Sequence, residues 1–351
     1  MNVLERKVHA LGTHRVIDPP GSMPQSAHKL DNTPVALENE ILCEVETLNV
    51  DSASFKQIRD ACGGDAAKIG AHIQEIVRER GKQHNPVTGS GGMFIGRVLK
   101  IGERLRARID LQAGERIASL VSLTLTPLAI EAVTRVDVET GRVWIRGKAI
   151  LFESGLWAKL PKDIDTNVAL AVLDVAGAPA QVKRMTGPGM TVAVIGADGK
   201  SGMLACAHAK VQAGSGGRVI AIAPDANTES AQLLQQTGLV DAFIQADARD
   251  ALAVSERFAQ IAPELADLVV NCVNVPGTEL SSILCAKQHG TVYFFSMSTS
   301  FTAAALGAEG VGKDVTMIIG NGYAEGHADT ALQTLRDHPQ IHEYFNRKYA
   351  R

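Results

Sequence analysis

The segment TVAVIGADGKSGMLACAHAKVQAG, residues 191–214, constrains the fold more than any other stretch of the chain. A β-branched run from Thr191 to Ile195 leads into Gly196, Ala197, Asp198, Gly199, Lys200, Ser201 and Gly202. A helical stretch from Met203 to Ala213 follows, and the glycines at 214, 216 and 217 end it. A strand that turns this tightly into a helix needs residues tolerant of positive φ. The new helix also aims unpaired N–H groups and a partial positive charge at whatever lies over the turn. The same order recurs downstream, with apolar runs at Arg218 to Ala223, Ala242 to Ile244, Leu268 to Cys272, Thr291 to Phe295 and Val315 to Ile319. Runs this continuous are expected of parallel strands whose two faces are both covered by helices. From about residue 167, then, the chain predicts a Rossmann-type, doubly wound α/β domain, assigned to 166–325, with a helical tail at 326–351 that packs back on the rest.

The first 165 residues follow a different grammar. Short strands, prolines and glycines, and the alternation of Ile41, Cys43, Val45 and Thr47 predict an irregular β-rich domain. One helix interrupts it, marked by Ile69, Ile73, Ile76 and Val77, with Gly81 after the last turn and Pro86 beyond. A single connecting helix is expected over Asn167 to Val182. At 351 residues and 45% hydrophobic content, each half can bury its own core.

Composition excludes several partners. A formal net charge of −3 offers no basic field for nucleic acid or an anionic membrane. No apolar run approaches the roughly 20 residues of a spanning helix. The N-terminal MNVLERKVHAL lacks an apolar stretch, so a cytoplasmic location is expected. Cys43, Cys62, Cys206, Cys272 and Cys285 are scattered and contain no CxxC pair, which speaks against a disulfide framework and a thiolate metal site. Cys206, Cys272 and Cys285 lie in apolar runs and read as core residues.

Three readings of the glycine turn compete. A phosphate-binding NTPase loop would need a glycine five residues before Gly199, where Val194 stands. A turn that binds nothing is compatible with the fold. Dinucleotide binding explains the whole context: bare backbone for the pyrophosphate, a glycine that lets helix and strand pack closely, and a helix N-terminus. The spacing is GxxGxxG, with Asp198 where a second glycine usually stands, and Lys200 either adds a charge near the phosphates or faces solvent. At the end of the next strand, where a ribose-gripping acid is expected, stands Ala223; Asp225 follows two residues later and no arginine comes immediately after. NAD is therefore favoured, with NADP open. Ligands of such sheets bind beyond the carboxyl ends of the strands, which brings in the backbone near Val273, Asn274, Ser296 and Met297, unless these are ordinary loop positions.

The irregular N-terminal half, GADGKSG, DLVVNCV and HGTVYFFS together resemble the medium-chain dehydrogenase/reductase superfamily, whose N-terminal domain is GroES-like. More narrowly, LNVDSASFKQI, NPVTGSGGMFIGRVLKIG, LDVAGAPAQV and VIGADGKSGMLA resemble the L-erythro-3,5-diaminohexanoate dehydrogenases of lysine fermentation. The resemblance implies oxidative removal of a substrate's C3 amine with NAD and water, giving 5-amino-3-oxohexanoate and ammonium. It also implies a homodimer formed through the edge strand of the Rossmann sheet. Where zinc-dependent relatives hold their ligands, this chain has Asp51 and Ser52, then Gly89, Ser90 and Gly91, then Asp174. Serine and glycine do not replace a histidine and a thiolate, so no metal is expected.

Amine oxidation without a metal requires a base for the ammonium, carboxylates for the cationic groups and a cation for the substrate carboxylate. Asp174, a carboxylate in an apolar stretch, is the first candidate to contact the reacting ammonium; a helix cap or an ion pair at the domain junction explains it as well. Asp51 and Ser52 are further candidates, or simply turn residues. His84 has the right chemistry for proton transfer, or is an exposed loop histidine. Glu153 and Glu325 are weaker candidates for the second ammonium, and Arg97 for the carboxylate, although Arg97 also reads as a strand surface residue. A metal-free quinone or enoyl reductase and a non-catalytic dinucleotide sensor are the competing functions.

Overall fold

A computed structural model describes residues 7–50, 52–85, 91–320 and 322–350, and the side chains of residues 52 and 53 stand outside that description. The chain divides into two compact units, residues 1–160 and 161–351.

In the first unit, β1 (Val16–Asp18) and β2 (Lys29–Leu30) form a small antiparallel ribbon. The main sheet contains β3 (Glu40–Asn49), β4 (Met93–Ile101), β5 (Arg116–Ser119), β6 (Leu128–Asp137), β7 (Arg142–Phe152) and β8 (Trp157–Lys159). Its order is β6-β7-β3-β4-β5-β8, with antiparallel pairing throughout. The expected alternation holds along β3, where Ile41, Cys43 and Val45 are buried. Between Val45 and Thr47 the register shifts against both neighbours, which makes Glu46 a bulge residue and leaves Thr47 and Leu48 consecutively buried.

Two helices cover this sheet region, α1 (Ser52–Ala61) and α2 (Ala66–Arg80), with a one-turn α3 (Glu103–Arg106) after β4. Helix α2 forms where the spacing predicts it. The Asp65 carboxylate accepts from the N–H groups of Ala67 and Lys68, Gly81 ends the helix at φ 68°, and Ile69, Ile73 and Val77 face inward. Burying each such aliphatic side chain stabilises the fold by about 1.5–3 kcal/mol. The segment before β1 is anchored by charge. Arg15 and Glu40, both fully buried, share two hydrogen bonds of 2.8 and 2.6 Å. His14 Nε2 lies 2.8 Å from the same carboxylate and the Leu37 N–H donates to it at 2.9 Å. Burial pushes the Glu40 carboxyl up, and the bonds from His14 and Arg15 together with the Arg15 charge carry it below the usual carboxylate range.

The second unit is a six-stranded parallel sheet of β9 (Thr191–Ile195), β10 (Arg218–Ala223), β11 (Ala242–Gln245), β12 (Ala266–Asn271), β13 (Ala286–Phe294) and β14 (Thr316–Ile319), in the order β11-β10-β9-β12-β13-β14. This is the doubly wound 3-2-1-4-5-6 order, whose direction reverses between β9 and β12. The crossings run through α6 (Lys200–Ala213), α7 (Glu229–Gln236), α8 (Ala251–Ile261), α9 (Glu279–Cys285) and α10 (Phe301–Gly310), with α11 (His327–Asp337) and α12 (Pro339–Tyr349) after the last strand. No described helix is long and apolar enough to cross a membrane.

One expectation fails. The stretch from Asn167 to Val182 is two helices, α4 (Thr166–Leu173) and α5 (Gly177–Met185). Pro179 has no N–H, and its ring would strike the carbonyl of Val175 in a continuous helix. The chain instead tightens through short turns at Val175 and Ala176, and Gly177 comes so close to the Gly322 backbone that a Cβ would lie 2.6 Å from its carbonyl carbon. Asp174 therefore stands at the carboxyl end of α4.

Candidate active site

The glycine turn lies at the carboxyl end of β9, beside the reversal of strand order. Gly196 has φ 79°, and its N–H donates to Ile222 O at 2.8 Å, tying the turn across to β10. A side chain on Gly202 would collide with the Gly196 carbonyl oxygen and come within 2.6 Å of Ala197 Cα, so this position sets how closely α6 approaches the turn. Gly199 is different: its backbone is extended, and a Cβ there would meet only Gly196 O, at 3.5 Å. No side chain caps α6. The first turn of a fourteen-residue helix thus begins without a side-chain cap on its backbone donors, an arrangement that fits the pyrophosphate of a dinucleotide.

One expected residue, Val273, lies against this turn, and Asn274, Ser296 and Met297 follow in the loops after β12 and β13. Val273 Cγ2 lies 3.0 Å from where a Gly196 Cβ would stand, and the Val273 N–H donates to Asn271 Oδ1 at 3.0 Å. Ser296, buried, donates to Asn274 Oδ1 at 3.3 Å, which joins the loops after β12 and β13. Met297 is 89% exposed in the second of these loops. Asn271 holds the first loop in shape, because its amide donates to Thr278 Oγ1 at 2.9 Å and to Ser282 Oγ at 2.8 Å. Ser201 is buried in the first turn of α6.

On the β10 side, Ala223 is buried at the strand end and Asp225 is exposed, its carboxylate accepting from the Asn227 N–H at 2.8 Å. The Asp198 carboxyl is raised by burial first, with the Asp225 charge adding to the rise and Lys348 opposing it. Lys348 belongs to α12, which sequence reasoning did not connect with the turn. The ring of Tyr349 has the ammonium of Lys200 5.9 Å and that of Lys348 5.6 Å from its centroid, and Arg347 pairs with Glu229 at the start of α7.

Lys200 also binds Asp174, Nζ to Oδ2, at 2.8 Å. A carboxylate at the carboxyl end of a helix opposes the helix dipole, so Asp174 needs a cation. Lys200, the first residue of α6, is that cation. The pair is only partly screened, with 31% of the lysine side chain and 46% of the aspartate side chain exposed. Among the described residues the Asp174 carboxylate therefore has one partner, Lys200, and it keeps a face open to solvent.

In the first unit, His84 follows α2 and lines a cavity of about 200 Å³ with Gln57, Ile58, Ala61, His72, Ile76 and Asn85. The Asn85 amide donates to Gln57 Oε1 at 2.7 Å. His84 Nδ1 is buried without a partner, as are both amide atoms of Gln83. Leaving such a group unpaired costs about 1–3 kcal/mol. Burial lowers the His84 pKa, and the charges of Lys82, Arg80 and His28 lower it further. Lys82 is buried with its ammonium on the carbonyls of Pro24 and Gln25, and burial brings its pKa down to about 8. Sequence reasoning singled out His84 alone here. The surrounding amides carried no motif.

The other candidates are dispersed. Arg97 projects outward from β4, donating to Gly114 O at 2.8 Å and lying 3.9 Å from Glu46. Glu153 is paired with Arg108, and its second oxygen is buried without a partner. Glu325 is exposed just before α11. Asp51, Gly89 and Ser90 lie outside the described residues, as does the side chain of Ser52, whereas the backbone of Gly91 is described and approaches Gln83 O. Among the described residues, no three of His, Cys, Asp or Glu come together as ligands for a metal ion. Cys206, Cys272 and Cys285 are free thiols; burial raises all three, Cys272 and Cys285 to about 12.

Residues 14–161 match the L-erythro-3,5-diaminohexanoate dehydrogenase N-terminal domain. The L-erythro-3,5-diaminohexanoate dehydrogenase of Acetoanaerobium sticklandii is 54% identical over 339 residues, covering 96% of this chain and 98% of that protein. The enzyme of the same name from Fusobacterium nucleatum is 52% identical over 340 residues, with the same coverage. Among solved structures, a mycobacterial quinone oxidoreductase shares the fold with a TM-score of 0.55 at 18% identity, over 89% of this chain and 83% of that one. A mycobacterial protein in complex with NADPH does so with a TM-score of 0.52 at 17% identity, over 89% and 81%. The chain belongs to the L-erythro-3,5-diaminohexanoate dehydrogenase family.

Proposed function

We propose that the chain is a nicotinamide-dependent dehydrogenase that oxidatively removes the C3 amine of L-erythro-3,5-diaminohexanoate, releasing 5-amino-3-oxohexanoate and ammonium. The observation that carries this reading is the 54% identity, across nearly the whole of both chains, to a relative of that name. The dinucleotide, when bound, supplies the acceptor for the hydride that leaves C3. An alcohol in such a fold depends on a metal to stabilise its alkoxide, whereas a neutral amine expels hydride with its own lone pair. The protein's tasks are therefore to deprotonate the ammonium, to hold both ends of the substrate and to admit the water that hydrolyses the iminium.

Asp174 is assigned to the reacting ammonium. Its carboxylate already binds one ammonium, that of Lys200, and keeps an open face for another. His84 is the second candidate for proton transfer, since a neutral imidazole accepts a proton. Gly196, Ala197, Gly199 and Gly202 are assigned to the pyrophosphate, with Lys200 and Ser201 at the start of the helix beside them. Asn274 and Ser296 are assigned to the nicotinamide side. NAD is the preferred form in this reading, because Asp225 near the end of β10 repels a ribose phosphate. Two copies are expected to pair through the edge strand β14, whose Ile319 is exposed.

The test follows nicotinamide absorbance at alkaline pH with 3,5-diaminohexanoate, offering NAD and NADP in turn. Reduction that is faster with NAD is expected. No reduction with either cofactor rejects the assignment, and turnover of quinones alone would move the chain to the reductases.

A further inference from the structure

The glycine turn carries an acid, Asp198, at the place where a dinucleotide brings the negative charges of its pyrophosphate. We propose that Asp198 sets the strength of dinucleotide binding by its charge: the carboxylate resists the pyrophosphate, and the complex forms with uptake of a proton from solvent onto Asp198. This rests on the assignment of the turn to the pyrophosphate and adds what the turn demands of its ligand.

Asp198 stands between Gly196, at φ 79°, and Gly199, the residue before α6. A ligand seated on the backbone of so short a turn lies within the roughly 8–10 Å over which charges act in physiological salt. The carboxylate is half-buried, and among the described residues its one hydrogen bond comes from its own backbone N–H. From the loop after β10, Asp225 acts on it as a like charge, and from α12, Lys348 acts as the opposite one. Lys348 gives its hydrogen bond to the Tyr344 hydroxyl, at 2.8 Å. The other cations of α12 and of the start of α6 have carboxylates of their own: Lys200 pairs with Asp174 at 2.8 Å, and Arg347 with Glu229 and, at 3.0 Å, with Glu343. Burial, with the Asp225 charge adding to it, holds the Asp198 carboxyl above the ordinary value of 3.8. A pyrophosphate on the turn acts in the same direction as Asp225 and raises it further, so the complex binds more protons than the free protein. Affinity is then greatest below the free value, falls as pH rises from the free to the bound value, and levels off above it. The protonated acid also has an O–H to donate to a phosphate oxygen, which the carboxylate lacks.

Calorimetric titration of the full-length protein tests this without turnover. NAD, and ADP-ribose as the same pyrophosphate without nicotinamide, are titrated across pH in pairs of buffers that differ in protonation enthalpy. Both ligands should bind with proton uptake, and Kd should rise with pH by up to about tenfold per unit between the free and bound values. Asp198→Asn, neutral at every pH, should lose the uptake. Above that window it should bind both ligands about threefold to thirtyfold tighter, the span for like charges several ångströms apart near a protein surface. Asp198→Ala should tighten binding as well, since the effect is one of charge. A role confined to shaping the turn predicts the opposite sign, weaker binding in both variants, and that result overturns the proposal. Uptake that survives in Asp198→Asn, or that occurs with NAD and not with ADP-ribose, overturns it too. Binding by the unaltered protein without proton uptake rejects this inference alone, whereas no binding of either ligand rejects the pyrophosphate assignment and this inference with it.

Discussion

The molecule contains two ion pairs that look alike on paper and differ in every physical respect. Arg15 and Glu40 are both 0% exposed, bonded through two contacts, with His14, a backbone N–H and three backbone carbonyls filling the remaining positions. Lys200 and Asp174 share one bond at 2.8 Å and keep 31% and 46% of their side chains exposed. The first pair has no capacity left for a ligand, so it anchors chain to chain. The second is incomplete by construction, because a carboxylate accepts several hydrogen bonds and Asp174 receives one from Lys200. Saturation marks structure, and the spare capacity of Asp174 is what the proposed contact with a substrate ammonium would use.

The comparison can be broken by substitution, and the expected effects fall in a clear order. Arg15→Ala should be the most severe, costing about 3–5 kcal/mol in denaturant or thermal unfolding, since it strands a buried carboxylate. A cost under about 1 kcal/mol would place this pair with the surface ones. Asp174→Asn should lower kcat by about a hundredfold or more, the scale of a lost proton acceptor, while cofactor affinity and Tm stay nearly constant. Unchanged turnover would remove Asp174 from the chemistry.

The acid limb of stability sharpens the contrast further. Glu40 is held below its usual value of 4.5 in the folded chain, so its contribution is complete above that pH and is lost as the pH falls through the lowered folded value. Glu40→Gln should flatten the acid limb of an unfolding curve, and an unaltered limb would show that the pair is not what acid breaks. The smallest effect is expected of Lys200→Ala, about 0–1 kcal/mol of stability, because half-exposed pairs are screened by water and salt. A larger loss, measured by denaturation at low and high ionic strength, would mean that the pair holds the fold after all.

What the sequence reveals follows from the range of the interactions involved. The strands β9, β10, β11 and β12 are readable to within a residue or two because each is an unbroken apolar run between glycines or charges, and α2 is readable because Ile69, Ile73 and Val77 mark one face between Asp65 and Gly81. These are local patterns. The split of α4 from α5 is local as well, but hydrophobicity hides it: the run from Ala169 to Ala180 stays apolar across Pro179, and period alone does not show a missing N–H. Long-range partners leave no such trace. Nothing in spacing says that Lys200 meets Asp174, that Glu40 meets Arg15, or that Asn85 donates to Gln57. The candidate residues were therefore visible in the sequence as chemical types, and their neighbours were not.

The last turn of α12 places Lys348 and Tyr349 at the first turn of α6, with Lys200 on the same tyrosine ring. During synthesis on the ribosome, the glycine turn emerges long before these residues do. Its backbone can form with β9 and β10, yet its charge environment is finished only when α12 packs against α6. Closing so long a loop is slow relative to forming local helices. A substitution in α12 should thus alter the surroundings of the glycine turn without touching a residue of the turn itself.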